Sequence, residues 1–70
     1  MTRLERIIQA EEFVSKGQQI KNKRSNETFT IVGFSFNKID MGYYCVNNAD
    51  IDEGESYIFI ENFDNYYECI

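Results

Sequence analysis

The spacing of apolar residues changes at Gly17, and this change constrains the fold of the chain more than any other feature. Before Gly17, apolar residues recur with the period of an α-helix. The predicted apolar face consists of Leu4, Ile7, Ile8 and Val14, with Ala10 and Phe13 beside it. After Gly17, apolar and polar residues alternate, as they do in β-strands. The sequence therefore predicts one N-terminal helix followed by β structure.

Local signals at both ends define the predicted helix. Thr2 and Glu5 have the spacing of a capping box, in which each side chain bonds to the backbone N–H of the other residue. Gly17 suits the left-handed conformation that ends many helices. A helix is therefore expected over about residues 3–16, and the β-rich part over about 18–70.

The rest of the chain divides into short strands and turns. Strands are expected at 18–23, 28–36, 42–47 and 56–60, with a final strand or 3₁₀ turn at 66–70. Turns or loops are expected at 24–27, 37–41, 48–55 and 61–65. The predicted fold class is α+β: the helix followed by a small four- to five-stranded antiparallel sheet or barrel. The length of 70 residues leaves room for one domain, residues 1–70.

The strand at 28–36 changes phase at Gly33. Phe29 and Ile31 are expected on one face, and Val32, Phe34 and Phe36 on the other. Glycine permits a bend or a bulge, so that the two halves would serve two packed sheets. The alternative is a strand covered by the sheet on one side and by the helix on the other.

Residues 18–70 resemble the SH3-like small barrel. Residues 42–46, with Tyr43 beside Tyr44, resemble its central aromatic strand, and residues 65–70, with Asn65 before Tyr66, resemble its closing segment. The resemblance implies five short strands, a tight distal hairpin and a last strand entered through a helical turn. The chain has no Trp on the central strand, no acidic patch beside a Tyr-rich first loop and no Pro at the closing turn. Binding of proline-rich peptides is therefore not expected.

The style of the sequence is similar to that of small accessory proteins of phages and mobile elements in AT-rich bacteria. The similarity lies in the small size, the abundance of Asn, Ile, Lys, Phe and Tyr, and an acidic half. Because many such proteins bind and block a host protein, the resemblance implies an inhibitor.

Charge is distributed unevenly along the chain. Residues 1–38 contain all seven basic residues and four acidic ones, a balance of +3, whereas residues 39–70 contain eight acidic residues and no basic one. Two interpretations stay open: an interaction surface, or electrostatic pairing of the two halves within the fold.

No catalytic or metal-binding pattern is present in the sequence. Histidine is absent, which removes the usual general base and a common metal ligand. The acidic segment 48–55 fits no EF-hand frame, because a start at Asn48 puts Glu53 where glycine is needed. We therefore expect no enzyme, no metal site and no cofactor.

Tyrosines and carboxylates share the acidic half, and tyrosine is enriched in protein interfaces. The alternative is that the tyrosines fill the core. Tyr43 and Tyr44 are expected on opposite faces of one strand, so at least some of the tyrosines should be buried. The predicted partner is a basic protein, bound by charge mimicry of nucleic acid. The candidate partner-binding residues are Asp50, Asp52, Glu53, Glu55, Tyr57, Glu61, Asp64 and Tyr66. One alternative is a small barrel that binds nucleic acid through Lys21, Lys23 and Arg24, and another is a structural subunit docked through the N-terminal helix.

Two cysteines are too few for a disulfide framework, and Cys45 and Cys69 are both expected to be buried, reduced thiols. No apolar run is long enough to span a membrane, and charged residues interrupt the N-terminus where a signal peptide would need an apolar stretch. The expected location is the cytoplasm, of a bacterium if the resemblance to phage proteins holds.

Overall fold

A computed structural model of the chain describes residues 2–37 and 39–70. Its elements, in chain order, are helix α1 (Arg3–Lys16), strands β1 (Gln19–Asn22), β2 (Thr28–Phe36) and β3 (Met41–Asn47), a 3₁₀ turn (Ile51–Glu53), strand β4 (Glu55–Phe59), helix α2 (Ile60–Tyr66) and strand β5 (Tyr67–Cys69). The strands form one antiparallel sheet in the order β4-β3-β2-β1-β5. The α+β class is confirmed, whereas the turn predicted at 61–65 is wrong because α2 occupies it.

The predicted ends of α1 are confirmed. The backbone N–H of Glu5 donates to Thr2 Oγ1 at 3.2 Å, and Glu5 Oε1 accepts from the backbone N–H of Thr2 at 3.2 Å. Gly17 has φ +63°, and the next N–H, that of Gln18, donates to the Phe13 carbonyl at 2.8 Å. Both ends are thus set by local hydrogen bonds, which is why the sequence alone could place them.

The apolar face predicted for α1 is displaced. Ala10 and Phe13 are the buried residues of the helix, whereas Leu4 is 66% exposed and Ile8 is 51% exposed. The helix packs against β2 through the face centred on Ala10, and Leu4 and Ile8 lie outside that face. The predicted apolar face is therefore wrong at Leu4 and Ile8 and correct at Val14, which packs against the core.

A β-bulge in β2 explains the phase change of its sequence. Ile31 pairs with Cys45, but the next paired residue of β2 is Gly33, opposite Tyr44, so that Val32 is the extra residue. The extra residue reverses the alternation of the strand, so that the apolar residues after the bulge face the core. The core-facing residues of β2 are Phe29, Ile31, Phe34 and Phe36. The predicted bulge is confirmed, but the assignment of Phe34 and Phe36 to the opposite face was wrong.

The hydrophobic core lies between the two helices and one face of the sheet. Its buried members are Ala10, Phe13, Ile20, Ile31, Tyr43, Cys45, Ile58 and Phe63. Three rings meet at its centre: the Tyr43 centroid lies 5.8 Å from that of Phe13 and 4.7 Å from that of Phe63. Phe63 belongs to α2, so this contact fastens the second helix to the sheet.

The two cysteines differ in environment. Both are free; Cys45 is fully buried in β3, whereas Cys69 is exposed in β5. The prediction that both thiols are buried was therefore wrong for Cys69. Its apolar neighbours in the sequence do not cover it, because β5 is a three-residue strand at the edge of the sheet.

Candidate protein-interaction surface

The chain after β3 presents four exposed carboxylates: Asp50, Asp52 and Glu53 before β4, and Glu55 as the first residue of β4. We call residues 48–55 the acidic loop. Its shape is set locally, since the Asn47 side-chain oxygen accepts from the N–H of Ala49 at 2.9 Å. The Asp50 carbonyl then accepts from Glu53 at 3.3 Å in the 3₁₀ turn. Gly54, at φ +92°, directs the chain into β4, a conformation that favours glycine.

The remaining candidate acids, Glu61 and Asp64, lie on α2 and not beside the acidic loop. Strand β4 separates the two groups, with the loop at its start and α2 at its end. At about 3.3 Å per residue, five strand residues place them on the order of 15 Å apart. The structure thus divides the predicted surface into two acidic groups.

Asp64 is already paired within the fold. The Arg6 guanidinium donates to its carboxylate in a fork, with Nη1 to Oδ1 at 2.9 Å and Nη2 to Oδ2 at 2.5 Å. The hydrogen bonds to Asp64 raise the pKa of Arg6. This contact joins α1 to α2, so Asp64 has a structural partner that the sequence did not identify.

A second ion pair joins Lys21 Nζ of β1 to Glu68 Oε1 of β5 at 3.3 Å. Like the Arg6 pair, it connects a basic residue of the first half to an acid of the second half. Pairing of the two halves within the fold therefore occurs, but it uses only Asp64 and Glu68 among the described residues. The carboxylates of the acidic loop make no ion pair with any described residue.

Tyr57 lies in the middle of a row of aromatic rings on the outer face of the sheet. Its ring centroid is 4.9 Å from that of Tyr44 and 5.0 Å from that of Phe59. Tyr44 is 37% exposed and Phe59 is 50% exposed. We call Tyr44, Tyr57 and Phe59 the aromatic row.

The Tyr57 ring is held in place by a glycine. A Cβ on Gly42 would lie 2.6 Å from Tyr57 Cζ, closer than packed carbon atoms approach, so the ring covers the bare backbone of β3. The Tyr57 hydroxyl makes no hydrogen bond to a described residue. Burial, together with the nearby Asp40 carboxylate, raises the pKa of this hydroxyl.

The aromatic row contains two residues, Tyr44 and Phe59, that are not among the partner-binding residues predicted from the sequence. The signal was available in the alternation of the strands. Once Tyr43 and Ile58 are assigned to the core, their neighbours Tyr44, Tyr57 and Phe59 must point outward.

Tyr66 lies away from the acidic loop. It ends α2, is 44% exposed, and has the Arg24 guanidinium 5.8 Å from its ring centroid. The turn after β1 is bonded directly to Tyr66, because the backbone N–H of Lys23 donates to the Tyr66 carbonyl at 2.8 Å. The structure therefore groups this tyrosine with the basic turn.

The basic residues of the alternative nucleic-acid site are only partly available. Lys21 faces Glu68, and Arg24 lies over Tyr66, whereas Lys23 is exposed. A carboxylate next to Lys21 opposes binding of phosphate there. The arrangement is therefore less favourable for nucleic acid than the sequence suggested.

Comparison with protein-family models, with curated proteins and with solved structures finds no match to this chain. The SH3-like resemblance stays a prediction. In the described ranges, 2–37 and 39–70, no group of three or more Cys, Asp or Glu side chains is arranged to hold a metal ion. Over the same residues, neither helix has the length and apolar character needed to cross a bilayer.

Proposed function

We propose that the protein is a non-enzymatic interaction module whose acidic loop binds a basic surface of another protein. The observation that carries this proposal is the exposure of four carboxylates, Asp50, Asp52, Glu53 and Glu55, without an ion pair to any described residue. Concentrated charge of one sign attracts a partner of the opposite sign and speeds its association.

The proposed partner is a nucleic-acid-binding protein, and the proposed effect is inhibition. Carboxylates spaced along an exposed loop can occupy the positions that phosphates take on a basic surface. The acidic half of the chain, residues 39–70, contains no basic residue that could neutralise the loop. This is the activity expected of a phage or mobile-element inhibitor in the bacterial cytoplasm, a location that two free cysteines support.

The decisive experiment compares charge reversals on two surfaces. The test variant combines Asp50→Lys with Asp52→Lys, and the control combines Glu11→Lys with Glu12→Lys on the exposed side of α1. Both change the net charge equally, so only position differs. Immobilised wild-type protein should recover basic proteins from a bacterial lysate in a salt-sensitive manner, and only the acidic-loop variant should lose them. Equal recovery by both variants would contradict the proposal.

A structural subunit is the second candidate, and the exposure of Leu4 and Ile8 on α1 favours it. Large apolar side chains on an exposed helix face are typical of a docking surface. Under this alternative, mass in solution would increase with protein concentration, and Leu4→Ser with Ile8→Ser would abolish the increase. Sedimentation analysis distinguishes this behaviour from the monomer expected of an acidic inhibitor.

A further inference from the structure

Strand β4 forms one edge of the sheet. It pairs with β3 on one side, and no described strand pairs with it on the other. Alternate residues of an edge strand direct backbone N–H and C=O groups away from the sheet. The outer side of β4 therefore offers hydrogen-bonding groups that a further strand could use.

The edge of β4 lacks the usual protection against such pairing. Natural edge strands commonly carry Lys, Pro or a bulge. Residues 55–59 contain neither Lys nor Pro, and their register with β3 is unbroken. The opposite edge differs: β5 has only three residues, and its Glu68 is occupied by Lys21.

The aromatic row supplies a side-chain platform next to this edge. Tyr57 and Phe59 project from β4 itself, and Phe59 is half exposed. Beyond Phe59, a shallow cleft continues the apolar surface and is lined by Ile39, Met41, Phe59, Ile60 and Glu61. A strand laid along β4 could therefore place apolar side chains against the rings and in the cleft.

Charge determines which strand would fit. Glu55 begins β4, Glu61 follows its end, and Asp40 lies near Tyr57. Since residues 39–70 include no Lys or Arg, a second copy of this edge would bring like charges together. A segment with Lys or Arg would instead meet carboxylates at both ends and aromatic faces between them, which attract cations.

We propose that β4 is a docking edge, where an extended, basic segment of the partner protein adds as a further antiparallel or parallel strand. Backbone hydrogen bonds to β4 hold this segment, apolar side chains contact the aromatic row, and basic side chains pair with Glu55 and Glu61. The proposal rests on the proposed function, because it names the chemical form in which the basic partner is recognised.

The test uses isotope-labelled protein and a blocked peptide of alternating Arg and Val, about six residues long, the usual length of a strand. A second peptide of equal charge has Pro in place of a central Val, which removes a backbone donor and disfavours strand pairing. The first peptide should slow hydrogen exchange at alternate β4 amides by about tenfold or more and shift the signals of Tyr57 and Phe59. The proline peptide should do neither.

Two variants separate contact with the aromatic row from general charge attraction. Phe59→Ser should weaken peptide binding on the order of tenfold. Its fold should persist, because residue 59 is the N-cap of α2 and Ser is a favourable N-cap. Ile70→Ser, an equivalent change at a 59% exposed residue that follows β5 at the opposite edge of the sheet, should leave the affinity unchanged.

The outcomes distinguish this proposal from the proposed function. If the peptide binds but affects only the acidic loop, strand addition is wrong while the acidic interaction module stands. If neither peptide binds at low salt, both are wrong. If β4 amides are already protected in the free protein in proportion to its concentration, a second copy occupies the edge, and the proposed occupant is wrong.

Discussion

Cys45, like Tyr43, is a fully buried ionisable side chain of β3, and the environment of its thiol makes stability depend on pH. It lies on β3 opposite Ile31 with no exposed surface, and burial raises the pKa of its thiol to about 11. A thiolate there would lose hydration without gaining a partner. The folded state therefore keeps the neutral thiol at a pH where the unfolded state ionises.

Alkaline conditions should therefore destabilise the fold. The contribution of Cys45 is fully present below its unfolded pKa of about 9 and is lost as the pH rises to about 11, a decrease of about 3 kcal/mol at most. Urea unfolding across this range should show a smaller decrease for Cys45→Ala than for the wild type. Parallel pH profiles for the two proteins would contradict the assignment.

Gly42 and Gly33 give a matched pair of substitutions on the outer face of the sheet. A Cβ at position 42 would overlap the Ile58 carbonyl oxygen and lie 2.7 Å from the Tyr57 hydroxyl, whereas at position 33 it would lie 3.6 Å from Tyr44 Cδ2, an ordinary contact. Gly42→Ala should therefore lower the free energy of unfolding by about 2 kcal/mol, and Gly33→Ala should change it by less than about 0.5 kcal/mol. Equal effects in denaturant unfolding would mean that the Tyr57 ring is not held on Gly42.

Individual residues differ in how well the sequence predicts them. Tyr43 and Tyr44 were expected on opposite faces of one strand, and the structure confirms this, with Tyr43 buried and Tyr44 37% exposed. Alternation sufficed there because the strand is regular. Phe34 and Phe36 were placed on the wrong face, since the bulge that turns them toward the core depends on pairing with β3. Cys69 could not be placed, because its exposure depends on the position of β5 in the sheet.

At the scale of elements, the fork between Arg6 and Asp64 connects α1 to α2, two helices far apart in the sequence. Arg6 is 21% exposed and Asp64 is 42% exposed, so water screens the attraction only in part. Lys21 and Glu68 form a comparable but more exposed pair with one contact at 3.3 Å. The first pair should therefore couple more strongly.

A double-mutant cycle measures this difference. Arg6→Gln and Asp64→Asn should give a coupling free energy of about 1 kcal/mol, and the equivalent cycle at Lys21 and Glu68 should give about 0.3 kcal/mol. Both values should decrease with added salt. A coupling at Arg6 no larger than that at Lys21 would show that the fork does not stabilise the contact between helices.

The two helices differ in whether local sequence signals or contacts in the folded chain determine them. Helix α1 was predicted at its true ends because its capping box and Gly17 act through neighbouring residues. Helix α2 was predicted as a turn because it has seven residues and no side-chain N-cap. Its stability comes from Phe63 in the core and from Arg6, contacts that form only in the folded chain.

At the scale of the molecule, the basic first half and the acidic second half of the chain form some ion pairs with each other in the folded structure. The sequence predicts which half is acidic, but it does not reveal which acids are neutralised. Arg6 forms an ion pair with Asp64 of α2, and Lys21 forms one with Glu68 of β5. The acidic loop, at the other end of β4, has no counterion among the described residues. The candidate surface is therefore smaller than the sequence suggested, and it is centred on the loop and the adjoining aromatic row.

The most direct test of the central claim is a displacement titration. A fluorescent duplex is first bound to a basic nucleic-acid-binding protein that the immobilised wild type has recovered. The free wild-type acidic protein is then added to this complex at several salt concentrations. The account predicts that it releases the duplex without binding it, more effectively at low salt, and that Asp50→Lys with Asp52→Lys abolishes release while Glu11→Lys with Glu12→Lys does not. Direct binding of the duplex to this protein, or equal release by both variants, would contradict the account.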